Sequence, residues 1–287
     1  MTKQKAAFIS IVSNSLLMLL KIAAGAAMGS VSVISEAIHS GIDLLASFVA
    51  FFSIKKSLEP ADFDHPYGHG KFENISGFFE AILIFFAAGM IVYEAIKKII
   101  HPMELEELNW GILVMLLSVI VNIIVSRSLF VIAKKEHSIA LEADAMHLSI
   151  DVFTSLGVLV GLIAIRFTGL AILDPLFALA VAAMIVKASY DLTRRSLEDL
   201  ADRKLPEAEE KIVRSTIESY PMIRSFHKLR SRKSGNQREL DVHIKVDRSM
   251  HIEEAHEICN RLETDIREKL PGTYITIHIE PYRAGNR

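Results

Sequence analysis

The sequence predicts a helical membrane domain of six transmembrane spans followed by a small α+β domain, on three observations. Hydrophobic residues make up 51% of the 287 and crowd into the first two thirds, and the mean hydropathy of +0.33 is high for a protein that lives in water. Two copies of one spacing, His39-x-x-x-Asp43 and His147-x-x-x-Asp151, lie inside those apolar stretches. From about Pro206 the composition changes to charged amphipathic helices and short alternating strands.

A bilayer core of about 30 Å needs roughly 20 helical residues. Six segments meet that need: 7–29, 31–54, 73–96, 110–133, 140–165 and 170–192. Residues 110–126, 81–93 and 152–165 carry no charge at all. Lys21, Glu36, Glu80, Asp144 and Lys187 do fall within spans; Lys21 is expected to snorkel or to pair with one of the acids. Asn122 and Ser118 read as interhelical hydrogen-bond partners.

Lysine and arginine set the orientation. Lys3, Lys5, Lys55, Lys56, Lys71, Lys134, Lys135, Arg194 and Arg195 fall on one side of a six-span chain, against Lys97, Lys98 and Arg166 on the other. The basic side is expected to be cytoplasmic, which places both termini inside. The first segment reads as a retained span, since no small-residue cleavage site precedes a polar sequence. The expected division is a transport domain over 1–200 and a cytoplasmic domain over 201–287.

In the second part, 206–219 reads as a charged amphipathic helix. Strands over 223–232 and 238–247 flank Ser234-Gly235-Asn236, a hairpin signal. Helix 251–270 repeats Ile252, Ala255, Cys259, Leu262 and Ile266 at helical spacing, and strand 274–280 follows Pro271-Gly272. The order αββαβ gives helices layered on a sheet, a ferredoxin-like or metallochaperone-like plan. Roughly 80 residues make a small core, so a homodimer is expected to help it.

Residues four apart stack on one helix face, so each His-x-x-x-Asp pair aims an imidazole and a carboxylate at one point. Two such faces offer two nitrogens and two oxygens, a four-coordinate set suited to zinc. An ionisable group in mid-bilayer costs about 2.5–3.5 kcal/mol on insertion scales, and a metal in passage explains four of them. With no thiolate in the set, cobalt, nickel, iron(II) and cadmium are the competitors. Cys259, the one cysteine, falls on the apolar side of its helix and reads as core.

Two further clusters carry the same donor types. The connection after the second span holds Asp62, His65 and His69, with Asp64 a possible substitute. Strand parity puts His243 opposite Leu240, Val242, Ile244 and Val246, and puts His278 and Glu280 opposite Ile275, Ile277 and Ile279. Together with His227 and His256 these form a second candidate cluster, though a polar sheet face would look the same.

The two intramembrane His-x-x-x-Asp motifs, the loop Pro60-Ala-Asp62-x-x-His65-x-x-Gly68-His69-Gly70-Lys71 and the C-terminal histidines together resemble the cation diffusion facilitator family over nearly the whole chain. The resemblance implies a transport site at His39, Asp43, His147 and Asp151. It implies a loop site at Asp62, His65 and His69, and a cytoplasmic binuclear site at His227, His243, His256, His278 and Glu280. Glu280 stands where zinc-transporting relatives commonly carry aspartate, a longer bridging arm. The family pattern is a homodimer in a cell membrane exchanging metal, here zinc, for protons, with cytoplasmic metal acting as regulator. It also pairs Lys71 with Asp202 near the membrane surface.

Imidazole titrates near 6.5 in reference compounds, so metal and protons compete for such a site near neutral pH. Alternating exposure of one site then yields zinc export coupled to proton entry. A membrane metal sensor, an importer, or a carrier of iron(II), cobalt or cadmium would use the same donors. The chain lacks His-Glu-x-x-His and glycine-rich phosphate loops, so it is expected to be no enzyme and to use no ATP. Its formal charge of −2 does not suggest nucleic acid.

Overall fold

The structure, a computed structural model, describes residues 2–28, 31–100, 109–168, 170 and 172–283. The side chains of Glu36 and Arg166 and the whole of His101 lie outside the described residues. The chain divides into two units, Met1–Leu197 and Glu198–Arg287.

The first unit holds helices α1 (Lys3–Met28), α2 (Val31–Ser57), α3 (Phe72–Ile100), α4 (Asn109–Glu136), α5 (Ile139–Thr168) and α6 (Leu173–Leu200). At 1.5 Å per residue each is about 40 Å long, enough to cross a bilayer with some tilt. By length and composition alone, α1, α3, α4 and α6 each supply a span apolar enough to cross. The two that do not reach that mark among the described residues, α2 and α5, carry the His-x-x-x-Asp pairs.

Helix α5 sits against α2, α3 and α4, and α1 packs along α2 and α4. Ala140, Leu141, Ala145 and Leu148 of α5 are fully buried with Leu129 of α4, Ile54 of α2 and Ala6 of α1. Ala143 of α5 is buried with Ala81, Ile84 and Ala88 of α3 and Leu192 of α6. Small residues at these crossings let backbones approach closely, as membrane helices require without a hydrophobic drive between them. At Gly77 a Cβ would come within 3.1 Å of Ser196 Oγ, a tight approach between α3 and α6. Outward, Leu16, Phe86, Val131 and Met184 are exposed, the pattern of lipid-facing surfaces.

One end of this unit is held by a single carboxylate. Glu73, fully buried at the start of α3, accepts from Ser57 Oγ of α2 at 2.8 Å. It also accepts from Lys3 of α1 and from Ser138 at the start of α5. Four helix ends therefore meet on one side chain.

The second unit runs α7 (Glu207–Glu218), β1 (Ser225–Ser234), β2 (Gln237–Val246), α8 (Ile252–Lys269) and β3 (Thr273–Pro281), the αββαβ order. Strand β2 is central, antiparallel to β1 and parallel to β3. Leu240, Val242, Ile244 and Val246 are buried together with Ala255, Leu262 and Ile266 of α8 and Val213 and Ile217 of α7. The hairpin turns at Gly235, φ 61°, a left-handed first turn position that suits glycine. Cys259 is buried in this core, where burial pushes its thiol pKa up. Arg238 grips Glu209 with two bonds of 2.8 Å, tying β2 to α7.

Candidate metal centre

Residues 39, 43 and 47 recur every four on α2, and 144, 147 and 151 share one face of α5. The two faces meet as rungs. His39 Nε2 lies 3.9 Å from Asp151 Oδ1 and 3.9 Å from Asp43 Oδ1. His147 Nε2 lies 2.8 Å from Asp43 Oδ1. Ser47 Oγ donates to Asp144 Oδ1 at 2.9 Å.

Ligand atoms of His39, Asp43 and Asp151 all fall within 4.8 Å of one another, and His147 joins them through Asp43. A tetrahedral ion with bonds near 2.0–2.1 Å separates its donors by about 3.3 Å. Distances of 2.8 and 3.9 Å bracket that value, so small side-chain shifts suffice to seat an ion. Asp43 and His147 are buried, whereas the His39 side chain is 48% exposed, which leaves one open flank. All four residues read from the sequence as transport ligands are brought together.

Two neighbours support the set. Asn122 Nδ2 of α4 approaches Asp151 Oδ2 at 3.5 Å. Lys21 Nζ of α1, expected to snorkel or to pair with an acid, donates to the hydroxyl of Ser40 at 2.8 Å, next to His39 in sequence. Glu80 and Asp144 are fully buried inside the unit.

In the loop between α2 and α3, the His65 backbone N–H donates to Asp62 Oδ1 at 2.7 Å. That bond is the main cause holding the Asp62 carboxyl below its ordinary range. His69 Nδ1 faces Pro60 O at 3.2 Å, which leaves Nε2 buried, without a hydrogen bond and 3.3 Å from Asp62 Oδ2. An imidazole oriented through its other nitrogen is the usual state of a metal ligand. His65 Nδ1 lies 3.5 Å from Asp62 Oδ1, so the three predicted donors converge.

On the sheet, His227 faces His243 across β1 and β2, and His243 faces His278 across β2 and β3. Glu280 Oε1 collects them, at 2.9 Å from His243 Nδ1, 3.6 Å from His227 Nε2 and 4.0 Å from His278 Nε2. The His243 bond holds the Glu280 carboxyl below its ordinary range, aided by the charges of His227, His243 and Lys245. A β-bulge follows His227, with Lys228 at φ 51°. Sequence parity gave no sign of it. His256 stands exposed on α8 and is not part of the group His227, His243 and Glu280. Asp202 pairs with Arg232 at 3.2 Å. His251 caps α8, accepting from Glu253 N.

Comparison with known proteins decides the family. Residues 7–201 match the cation efflux transmembrane domain, and residues 205–282 match the cation efflux protein cytoplasmic domain. The chain belongs to the cation efflux, or cation diffusion facilitator, family. It is therefore a multi-pass membrane protein of a transporter family and not an enzyme. A transporter of Synechocystis, described as uncharacterized, is 36% identical over 91% of this chain and 85% of its own length. The cation-efflux pump FieF of Pectobacterium atrosepticum is 31% identical over 89% of this chain and 85% of its own. Among solved structures, the Zn form of CzrB is 32% identical, covers 30% of this chain and 99% of that chain, and has a TM-score of 0.27.

Proposed function

We propose that this chain exports zinc from the cytoplasm in exchange for protons, by alternately exposing His39, Asp43, His147 and Asp151 to the two sides of a cell membrane. The observation that carries the reading is the meeting of two imidazoles and two carboxylates from α2 and α5 inside the helical unit. Nitrogen and carboxylate donors without thiolate favour zinc over copper(I), and the two imidazoles favour it over manganese. Cobalt, iron(II) and cadmium are the nearest competitors.

Proton exchange follows from the donors. Metal binds neutral imidazole and ionised carboxylate, so loading the site expels protons and protonation expels metal. His147 and Asp43 already share a 2.8 Å contact that an entering ion must replace. Protons returning to the emptied site restore that contact and relieve the burial of the carboxylates.

The protein acts as a homodimer with both termini cytoplasmic. Residues 1–200 form the transport domain and 201–287 the metal-binding and dimerisation domain. The loop donors Asp62, His65 and His69, and the sheet donors His227, His243, His278 and Glu280 with His256, hold cytoplasmic or regulatory zinc. A metal panel tests the choice of cargo. Zinc, cobalt, iron(II), cadmium and manganese are presented to reconstituted vesicles with an imposed pH difference. Zinc is expected to move fastest; faster manganese flux would overturn the assignment.

A further inference from the structure

Asp151 meets its surroundings with two different oxygens. Oδ1 faces His39 Nε2 at 3.9 Å, inside the ligand group, and Oδ2 faces Asn122 Nδ2 of α4 at 3.5 Å. Asp43 likewise turns Oδ1 to both histidines, 2.8 Å from His147 and 3.9 Å from His39. An ionised carboxylate only accepts hydrogen bonds, so the Asn122 amide presents its NH2 group, not its carbonyl oxygen, to Oδ2. Asn122 is buried and its Oδ1 makes no hydrogen bond. Among the described residues, the approach to Asp151 is the polar contact that accounts for an amide at this point.

The packing of α4 on α5 delivers that amide. Val121 and Val125, on either side of Asn122 in sequence, pack in the cluster that holds Leu148 of α5, three residues before Asp151. Asn122 therefore stands on a helix whose own core contacts set its place beside the carboxylate.

The number of oxygens a carboxylate gives to an ion decides which ion fits. Zinc takes four donors in a tetrahedron. Manganese favours six, mostly oxygen, and cations of high coordination number accept both oxygens of one carboxylate. With Oδ2 engaged by the amide, Asp151 contributes Oδ1 alone.

We propose that Asn122 is a selectivity residue: by engaging Oδ2 it keeps Asp151 a one-oxygen ligand and so favours four-coordinate zinc over six-coordinate manganese. The inference rests on the reading of His39, Asp43, His147 and Asp151 as the transport ligands. Asn122 acts through Asp151 and does not touch the ion. Without the amide, Oδ2 is released to the ion, which supplies manganese with a further oxygen and leaves zinc with a less well oriented carboxylate.

The test is competition between zinc and Mn(II) for the full-length protein in nanodiscs, comparing wild type with Asn122→Leu, a side chain of similar length without a donor. Asp151→Ala protein measures the metal held elsewhere, and the excess over it belongs to the transport site. The zinc-to-manganese preference of that site is expected to fall about tenfold in Asn122→Leu, the scale of losing a group that supports a ligand, with Mn(II) binding held. A preference unchanged from wild type overturns the proposal. So does an equal weakening of both metals, which is what a purely structural role for Asn122 would give; misfolded protein also lowers both alike, and Asn122→Ala is read beside Asn122→Leu to separate the two. Zinc flux in wild-type vesicles with an imposed pH difference is measured in parallel. If wild type exports no zinc while the preference still falls, the selectivity role stands and the export reading fails; if wild type exports zinc and the preference holds, the reverse is true.

Discussion

His147 Nε2 lies 2.8 Å from Asp43 Oδ1, so residues 104 apart in sequence close the centre of the site from two helices. The contact keeps the ligands in register without metal, and it is the contact that a metal must take over. Asp43→Ala removes one donor and unpairs His147. Losing even a supporting group costs roughly 10–100-fold in metal affinity, so this variant should lose more than about 100-fold. Zinc titration of the purified protein measures it, with the loop and sheet ligands left intact.

Asn122 acts one step back. Its amide approaches Oδ2 of Asp151, one of the two carboxylates of the set, at 3.5 Å. Asn122→Ala should weaken zinc binding at the transport site roughly 10-fold while flux persists at saturating zinc. The zinc dependence of flux separates this outcome from the loss of flux expected of Asp43→Ala.

Glu73 holds helix ends rather than metal. Lys3 is almost as buried as its partner, with 4% and 0% of the two side chains exposed. Breaking a buried pair from one side costs about 3–5 kcal/mol, because the other charge is stranded. Glu73→Ala should therefore lower thermal stability in detergent sharply, and Lys3→Met combined with Glu73→Met should recover much of the loss. Thermal unfolding of the single and double variants checks the difference.

The loop carries a pH signature. Because the His65 N–H holds the Asp62 carboxyl below 3.8, its contribution to loop order is present above that value and fades only as pH falls through the lower folded-state value. Asp62 is then not the group that limits metal binding on acidification. Cobalt bound at the loop should leave in the range where imidazoles protonate, with the Asp62–His65 bond persisting to lower pH. Absorbance of the bound cobalt and the His65 amide proton signal report the two events separately.

Much of this was legible in the residues. The four-residue spacings at 39/43 and 147/151 fix which donors share a helix face, and a helix is a rigid enough ruler for that reading to hold. Strand parity likewise placed His243, His278 and Glu280 on one face, because a side chain cannot change faces without a change of register. The bulge after His227 was not legible, since it depends on pairing between strands. Glu80 and Asp144 were visible as acids within spans, and the sequence left open whether they lie inside or near an interface. Only the packing of α3 against α5 decides that. Glu73 was missed for the same reason: its partners Lys3, Ser57 and Ser138 come from three other segments, and no local spacing links them.

The most direct test of the central claim follows zinc and protons together in sealed proteoliposomes, with one indicator for each ion, in wild type and Asp151→Ala. The account predicts zinc movement accompanied by opposite proton movement in wild type, and neither in the variant. Zinc movement that ignores the pH difference, or that survives in Asp151→Ala, would contradict it.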